Sequence, residues 1–108
     1  MLDFEHYRGD TFFQTIFEVK INGTALDLTG IPIKMQLRQN WDKDVALELS
    51  IANGKLEIID AINGKFAIKE QVINVYPFEY SYDIQMTIGT EVRTWVKGIF
   101  KIIPDITK

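Results

Sequence analysis

Apolar and polar residues alternate along much of this chain, which is the period of a strand with one buried face. In EYSYDIQMTI, apolar side chains occupy every second position from Tyr80 to Ile88. The same alternation recurs in PIKMQLR and VALELSI. In TFFQTIFEVKI it places one set of residues on a common face: Phe13, Thr15, Phe17, Val19 and Ile21. Period two is typical of half-buried strands, so we predict an all-β chain.

Turn signals separate these runs. Asn-Gly occurs at Asn22-Gly23, Asn53-Gly54 and Asn63-Gly64, and both residue types tolerate the positive φ of tight hairpin turns. We predict hairpins in LELSIANGKLEII and LEIIDAINGKFAIK, and a tight turn at Gly89-Thr90 between the last two strands. Seven or eight short strands at such spacing favour an antiparallel β-sandwich or barrel.

The segment KEQVINVYPF, which begins at Lys69, lacks alternation and stops at Pro77. We interpret it as one short helical turn in a crossover connection, as a Greek key requires. Tyr80 follows it, and two readings stay open for this residue. It acts as a tyrosine corner, with its hydroxyl bonded to the crossover backbone, or it is a core tyrosine whose hydroxyl binds water.

Composition narrows the class of protein. The 108 residues correspond to one domain, residues 1–108. The net charge of -3 and the scattered basic residues favour no nucleic acid as partner. With no cysteine, disulfides and thiolate chemistry are excluded. We find no signal-peptide pattern and no apolar run of the ~20 residues that span a bilayer, so we expect no membrane association.

Candidate catalytic and metal-binding residues are few. His6 is the one histidine, and the serines Ser50 and Ser81 both fall on predicted polar faces. A serine nucleophile needs a base and an orienting group within hydrogen-bond reach, and no pattern here indicates them. Asp42 and Asp44 lack the further ligands and glycine of a calcium loop. We therefore expect no enzyme activity, no catalytic residues, no metal and no cofactor.

The last strand, VRTWVKGIFKII, alternates poorly. Val96, Phe100 and Ile102 can share the core face, with Gly98 between them. We predict that a second apolar face is formed by five residues: Phe12, Ile16, Trp95, Ile99 and Ile103. A large exposed apolar face usually contacts a partner, although a loop or terminal segment of the same chain can cover it instead.

Two aromatic residues outside the predicted strands offer an alternative function. Trp41 lies in RQNWDKD and Tyr76 precedes Pro77. Exposed aromatic rings can stack on sugars, as in a carbohydrate- or surface-binding module, whereas a lone loop tryptophan can also cap one end of a core. Trp41 and Tyr76 are the ligand contacts of this alternative.

The order of several short phrases resembles a known family: RGDTF, NGTALDLTG, IPIKMQLR, NGKFAI, EYSYDIQMTIG and TWVKGIFKIIPDIT. From about Arg8 to Thr107 the chain is similar to small immunoglobulin-like domains of tailed phages and prophages, including the N-terminal domain of phage baseplate upper proteins. The matching positions are Arg8, Gly9, Asp10, Asp27, Leu28, Thr29, Gly30, Tyr80, Tyr82, Asp83, Gly98, Asp105 and Thr107.

The resemblance implies an immunoglobulin-like β-sandwich that serves as a virion structural protein of a tail, baseplate or connector. Its partners would be other virion proteins, with a homo-oligomer left open, and its location would be the virion after synthesis in the bacterial cytoplasm. The Arg8-Gly9-Asp10 tripeptide then marks the start of a strand and not a receptor-binding loop. We expect Gly9 at a kink and Arg8 paired with a carboxylate such as Asp83 or Asp105.

Overall fold

The computed structural model describes residues 3–40 and 43–104. These residues form twelve strands and no helix. The strands are β1 (Phe4–Tyr7), β2 (Thr11–Phe12), β3 (Thr15–Glu18), β4 (Lys20–Ile21), β5 (Thr24–Ala25), β6 (Ile33–Arg38), β7 (Val45–Ser50), β8 (Leu56–Asp60), β9 (Lys65–Ile68), β10 (Gln71–Val72), β11 (Phe78–Ile88) and β12 (Glu91–Ile103). The all-β prediction is confirmed.

The strands assemble into a larger and a smaller sheet that pack in a sandwich-like arrangement. The larger sheet has the order β1-β12-β11-β6-β7, with β1 parallel to β12 and its other pairs antiparallel. The smaller sheet has the order β3-β9-β8, and the short pairs β10-β2 and β4-β5 accompany it.

The β10-β2 pair continues the smaller sheet in one register. Thr15 lies opposite Ile68 in β3-β9; three residues earlier, Phe12 lies opposite Gln71, which follows Ile68 by three residues. Strands β2 and β3 therefore belong to one interrupted strand, and β9 and β10 belong to another. The interruption at residues 13–14 reverses the inward and outward alternation. Phe12 and Phe17 are therefore both buried although five residues separate them.

This interruption overturns the predicted common face at Phe13, which is exposed. Phe17 and Val19 are buried as expected. Ile21 has the same parity as these two residues but is exposed in the short β4-β5 pair. A strict period of two holds only along an unbroken ladder, because each irregularity shifts the parity of all later residues.

Aromatic rings from the two sheets meet in the core. Phe4 of β1 contacts Phe12 and Phe17 at centroid distances of 6.0 and 6.3 Å. Phe4 also lies 5.6 Å from the ring of Tyr82. Burial, with a smaller contribution from the nearby Asp3 charge, raises the pKa of Tyr82 to about 12, because both disfavour the phenolate.

Two of the three Asn-Gly dipeptides lie in hairpin turns, and Gly89-Thr90 lies in another. Asn22 and Gly23 both have positive φ and join β4 to β5, as predicted. Asn63-Gly64 joins β8 to β9 in the second predicted hairpin, with positive φ at the glycine. The tight turn at Gly89-Thr90 between β11 and β12 is also confirmed, since Ile88 pairs with Glu91.

The predicted hairpin around Asn53-Gly54 is wrong. The strands β7 and β8 that flank it belong to different sheets, so this connection is a corner between the sheets. Asn53 stabilises the corner: its Oδ1 accepts from the Ser50 amide at 2.9 Å, and its Nδ2 donates to the Glu48 carbonyl at 2.9 Å. A side chain that satisfies the backbone in this way replaces the ladder that a hairpin would have formed.

The predicted helical turn at residues 69–78 is also wrong. Gln71–Val72 forms β10, and an irregular segment leads from it to Phe78. Of the two readings of Tyr80, the structure supports the tyrosine corner, since its hydroxyl donates to the Tyr76 carbonyl at 2.5 Å. Burial raises the pKa of Tyr80 above its usual value.

Candidate functional site: the outer edge of the smaller sheet

The five residues of the predicted apolar face do not lie on one surface. Phe12 is 8% exposed and belongs to the core. Trp95 is half-buried against the same core. Ile99 and Ile103 lie half-buried on the outer face of the larger sheet, and Ile16 lies on the smaller sheet. The predicted placement of Phe12 and Trp95 is therefore wrong, while a contact role for Ile16, Ile99 and Ile103 stays a prediction.

A β-bulge explains the position of Trp95. Ile84 of β11 pairs with Val96, but the next residue, Gln85, pairs with Thr94, so Trp95 is the extra residue of β12. The bulge turns its indole towards the smaller sheet, where it packs edge-on against Phe17 and Phe66 at 5.8 and 5.7 Å. Trp95 thus joins the two sheets.

The outer face of the larger sheet is mainly polar. Its cross-strand neighbours include Asp83 opposite Lys97, and Lys101 between Glu5 and Glu79. Opposite charges on neighbouring strands favour this pairing in water. Ile99 and Ile103 are interspersed among these groups, so this face lacks the continuous apolar surface that the alternation had suggested.

Of the two predicted ligand contacts, only Tyr76 lies among the described residues. Tyr76 is 70% exposed, while Trp41, Asp42, Asp105 and Thr107 lie outside the described residues. Arg8 donates from Nε to Asn74 Oδ1 at 3.0 Å, which differs from the proposed pair with Asp83. Gly9 has a φ of 83° between β1 and β2, as expected for a kink at the strand start.

Titratable and nucleophilic groups do not converge on one point. His6 Nε2 is 2.9 Å from the Asp10 carbonyl oxygen, and its ring meets Phe12 edge-on at 5.2 Å. Ser50 Oγ accepts from the Asn53 amide at 3.0 Å. Within residues 3–40 and 43–104, no group of three or more His, Asp or Glu side chains could hold a metal ion.

Two concavities are smaller than ordinary ligand pockets. The apolar one, of about 150 Å³, lies where the β4-β5 turn meets the β11-β12 turn, and Trp95 and Leu26 contribute to its wall. The other, of about 260 Å³, is lined in part by Lys34, Glu48 and Gln85 on the larger sheet. Small-molecule sites usually measure roughly 300–1,000 Å³, so an exposed surface is a better candidate site than either of these two concavities.

The strongest such surface is the side of β2 and β3 that faces away from β9 and β10, which we call the β3 edge (residues 11–18). None of the described strands pairs with this side. The Val19 amide donates to Gly64 O at 2.8 Å, so odd-numbered residues of this strand direct their backbone groups towards β9. Because alternate residues point to opposite sides, Ile16 and Glu18 direct their N–H and C=O groups outward.

Apolar side chains accompany these outward backbone groups. Phe13 is 73% exposed and Ile16 is 54% exposed. Gln14 Nε2 donates to Glu57 Oε1 at 3.0 Å, across the outer face of the sheet. Glu18 Oε1 lies 3.3 Å from Lys20 Nζ. At the β3 edge, the apolar side chain of Ile16 therefore lies between the Gln14 amide and the Glu18 carboxylate, and Phe13 is exposed before them.

Two of the other sheet edges carry bulges, which discourage pairing. Strand β8 has an extra residue, Ile59, between the partners of Phe66 and Lys65. Strand β7 has an extra residue, Ala46, opposite the Leu37–Arg38 step. Strand β1 has four residues, as β3 has, and carries no bulge. Bulges are a usual protection of a sheet edge, and within Thr15–Glu18 the β3 edge keeps a regular register with β9.

Sequence reasoning missed the exposed position of Phe13. Its signal was the spacing in TFFQTIF, where Phe12 and Phe17 are an odd number of residues apart. Two core residues at an odd spacing require a break in the ladder between them, and the residue at the break is the one most easily exposed.

Comparisons with known proteins add no assignment: neither the family models nor the curated proteins that were searched contain a match to this chain. The described residues also form no helix that is long and apolar enough to cross a membrane.

Proposed function

We propose that this chain is a non-enzymatic structural or assembly protein of a phage or prophage virion, in a tail, baseplate or connector. It acts by protein–protein contact, and an immunoglobulin-like topology is part of the proposal. Its partners are other virion proteins, and its location is the virion.

One structural observation carries the contact part of this proposal. The β3 edge exposes Phe13 and Ile16 beside backbone groups that no described strand satisfies. An unprotected edge with exposed apolar residues promotes association with another polypeptide. The virion part rests on the order of phrases from RGDTF to TWVKGIFKIIPDIT. The Tyr80 hydroxyl bonded to the Tyr76 carbonyl supports the immunoglobulin-like part.

Purified particles provide the test. We expect peptides of this chain in gradient-purified particles from the strain that carries its gene, at a fixed ratio to the tail proteins. Cross-linking mass spectrometry should join lysines near the β3 edge, such as Lys20 and Lys65, to a tail, baseplate or connector protein. Quantitative mass spectrometry that finds the chain only outside the particles would overturn the virion role.

A carbohydrate- or surface-binding module is the second candidate, favoured by the 70% exposure of Tyr76. Its ring is free to stack on a sugar, and Trp41 is the other proposed contact. A glycan array tests this function. Binding that Tyr76→Ala abolishes would support it, and an array without binding would remove it.

A further inference from the structure

We infer that the β3 edge pairs with the β3 edge of a second copy of this chain, antiparallel and around a two-fold axis. The two smaller sheets would then form one continuous sheet across the dimer. This inference deepens the proposed function by naming a partner, and it rests on that function only in taking contact between proteins as the role of the chain.

The geometry of the edge determines what kind of partner can bind. Ile16 and Glu18 direct N–H and C=O groups outward in the plane of the smaller sheet. Only another extended strand offers backbone groups at the matching spacing, so the occupant is a strand and not a helix or a small molecule.

The side chains favour a second copy as that strand. Gln14 reaches Glu57 on the outer face, and Glu57 lies opposite Ala67, which lies opposite Ile16. Gln14 and Ile16 therefore share one face, and Glu18 follows by alternation. Opposite residues of an antiparallel pair share a face, so these three side chains would meet their counterparts directly.

One register makes all three contacts complementary. Residues with outward backbone groups oppose each other, so Ile16 can face Ile16 or Glu18 of the second copy, or Gln14 where the pairing extends beyond Thr15. Facing Glu18 or Gln14 would place the apolar side chain against a polar one. With Ile16 opposite itself, the two isoleucines pack at the axis, and each Gln14 faces Glu18 of the other copy. A further shift would oppose Glu18 to itself, and like charges in that position repel.

The flanking polar groups retain capacity for this contact. Gln14 Nε2 carries two hydrogens, and one of them is donated to Glu57. Glu18 uses Oε1 for Lys20, which leaves Oε2 to accept a hydrogen bond. The second amide hydrogen and Oε2 are therefore the atoms that remain for a hydrogen bond between the two copies.

The pairing is short, so the dimer is expected to be weak. Stable dimers usually bury about 1,600 Å² in total, and contacts below about 1,200 Å² are typically transient. Sedimentation equilibrium from about 1 μM to about 1 mM covers the relevant range of dissociation constants. We expect a monomer–dimer equilibrium within that range.

Ile16→Lys tests the location of the contact. It places two positive charges opposite each other at the axis, and we expect the dissociation constant to rise by about tenfold or more. Ile62→Lys is the matched control, because Ile62 is 73% exposed at the β8-β9 turn. We expect that control to self-associate like the parent. Circular dichroism checks that both variants remain folded.

Cysteine cross-linking tests the register. The chain has no cysteine, so each single-cysteine variant reports one position. Opposed residues have Cα atoms about 5.5 Å apart, within the range that a disulfide bridges. Ile16→Cys should therefore form a disulfide dimer with itself. Gln14→Cys and Glu18→Cys should cross-link when mixed and much less when each is alone.

Either of two results would overturn the inference: a monomer throughout the concentration range, or a dimer that Ile16→Lys leaves unchanged. Self-linkage of Gln14→Cys in place of Ile16→Cys would refute the register. These failures are separate from failure of the proposed function. A monomer found in virions would contradict only the dimer, and a dimer absent from virions would contradict only the virion role.

Discussion

The two edges of the smaller sheet differ in how they treat a potential strand partner. At β8, the extra residue Ile59 interrupts the ladder, and the acidic residues Glu57 and Asp60 stand along the strand. At the β3 edge, the register with β9 is regular from Thr15 to Glu18, and Ile16 stands between Gln14 and Glu18. The difference indicates that one edge is closed to pairing while the other is suited to it.

The largest expected effect on stability comes from the buried face of strand β3, whereas its exposed face should contribute little. Phe17 is 6% exposed and contacts the Phe66 ring at 5.1 Å, so Phe17→Ala should lower the free energy of unfolding by about 3–5 kcal/mol. Ile16→Ala should change it by less than about 1 kcal/mol, because the side chain is exposed. Chemical denaturation measures both. Equal losses would show that Ile16 has a structural role and would weaken its assignment as a contact residue.

A second prediction concerns the attachment of the β3 edge to the sheet. Gly64 has a φ of 71°, and a Cβ there would lie 2.6 Å from the Val19 carbonyl oxygen. Gly64→Ala should therefore lower the free energy of unfolding by about 2–3 kcal/mol, because backbone atoms must move and alanine is strained at this positive φ.

Gly54→Ala is the matched control at the other end of the sheet. Gly54 has a φ of 77°, and no atom lies within 4 Å of the position that a Cβ would occupy, so only the conformational strain applies. We expect Gly54→Ala to lower the free energy of unfolding by about 1 kcal/mol, as measured by thermal or chemical denaturation. A loss as large as that of Gly64→Ala would contradict the close approach at Val19.

The smallest expected effect is on the pH dependence of stability, through Asp60 at the end of β8. Asn63 bonds to Asp60 through its side chain and its amide, and these bonds lower the pKa of Asp60. A lowered folded-state pKa stabilises the fold above the unfolded value of about 3.9, and that contribution is lost as the pH falls through the folded-state pKa.

Asn63→Ala should therefore reduce the loss of stability on acidification below about pH 4. Denaturation at a series of pH values, with the parent alongside, measures the difference. An identical pH dependence in the two proteins would refute the role of the Asp60–Asn63 pair.

The alternation of apolar residues predicted the fold class because most ladders are regular. In β11, Tyr80, Tyr82, Ile84 and Met86 all face the core, as their spacing indicated. In β12 the same reasoning placed Trp95 on the wrong side, because the bulge inserts one residue and no feature of VRTWVKGIF marks it. Parity is a local property, and it fails after each unmarked irregularity.

Turn chemistry was predictable only in part, as the Asn-Gly dipeptides show. The dipeptide permits positive φ, but among these three asparagines only Asn22 adopts it. At Asn53 the side chain bonds to the Ser50 amide and the Glu48 carbonyl, and the chain crosses between sheets. The partner of each strand is set by tertiary packing, which a local pattern does not contain. For the same reason, the β3 edge could not be distinguished from the protected edges before the pairing was known.

Hydrogen exchange at the edge amides tests the central claim most directly. If the β3 edge pairs with a second copy, the amide hydrogens of Ile16 and Glu18 should be protected at high protein concentration and exchange faster on dilution. Amides of β8 should exchange at the same rate at every concentration. Exchange at Ile16 and Glu18 that does not depend on concentration, or protection that appears along β8 instead, would contradict the account.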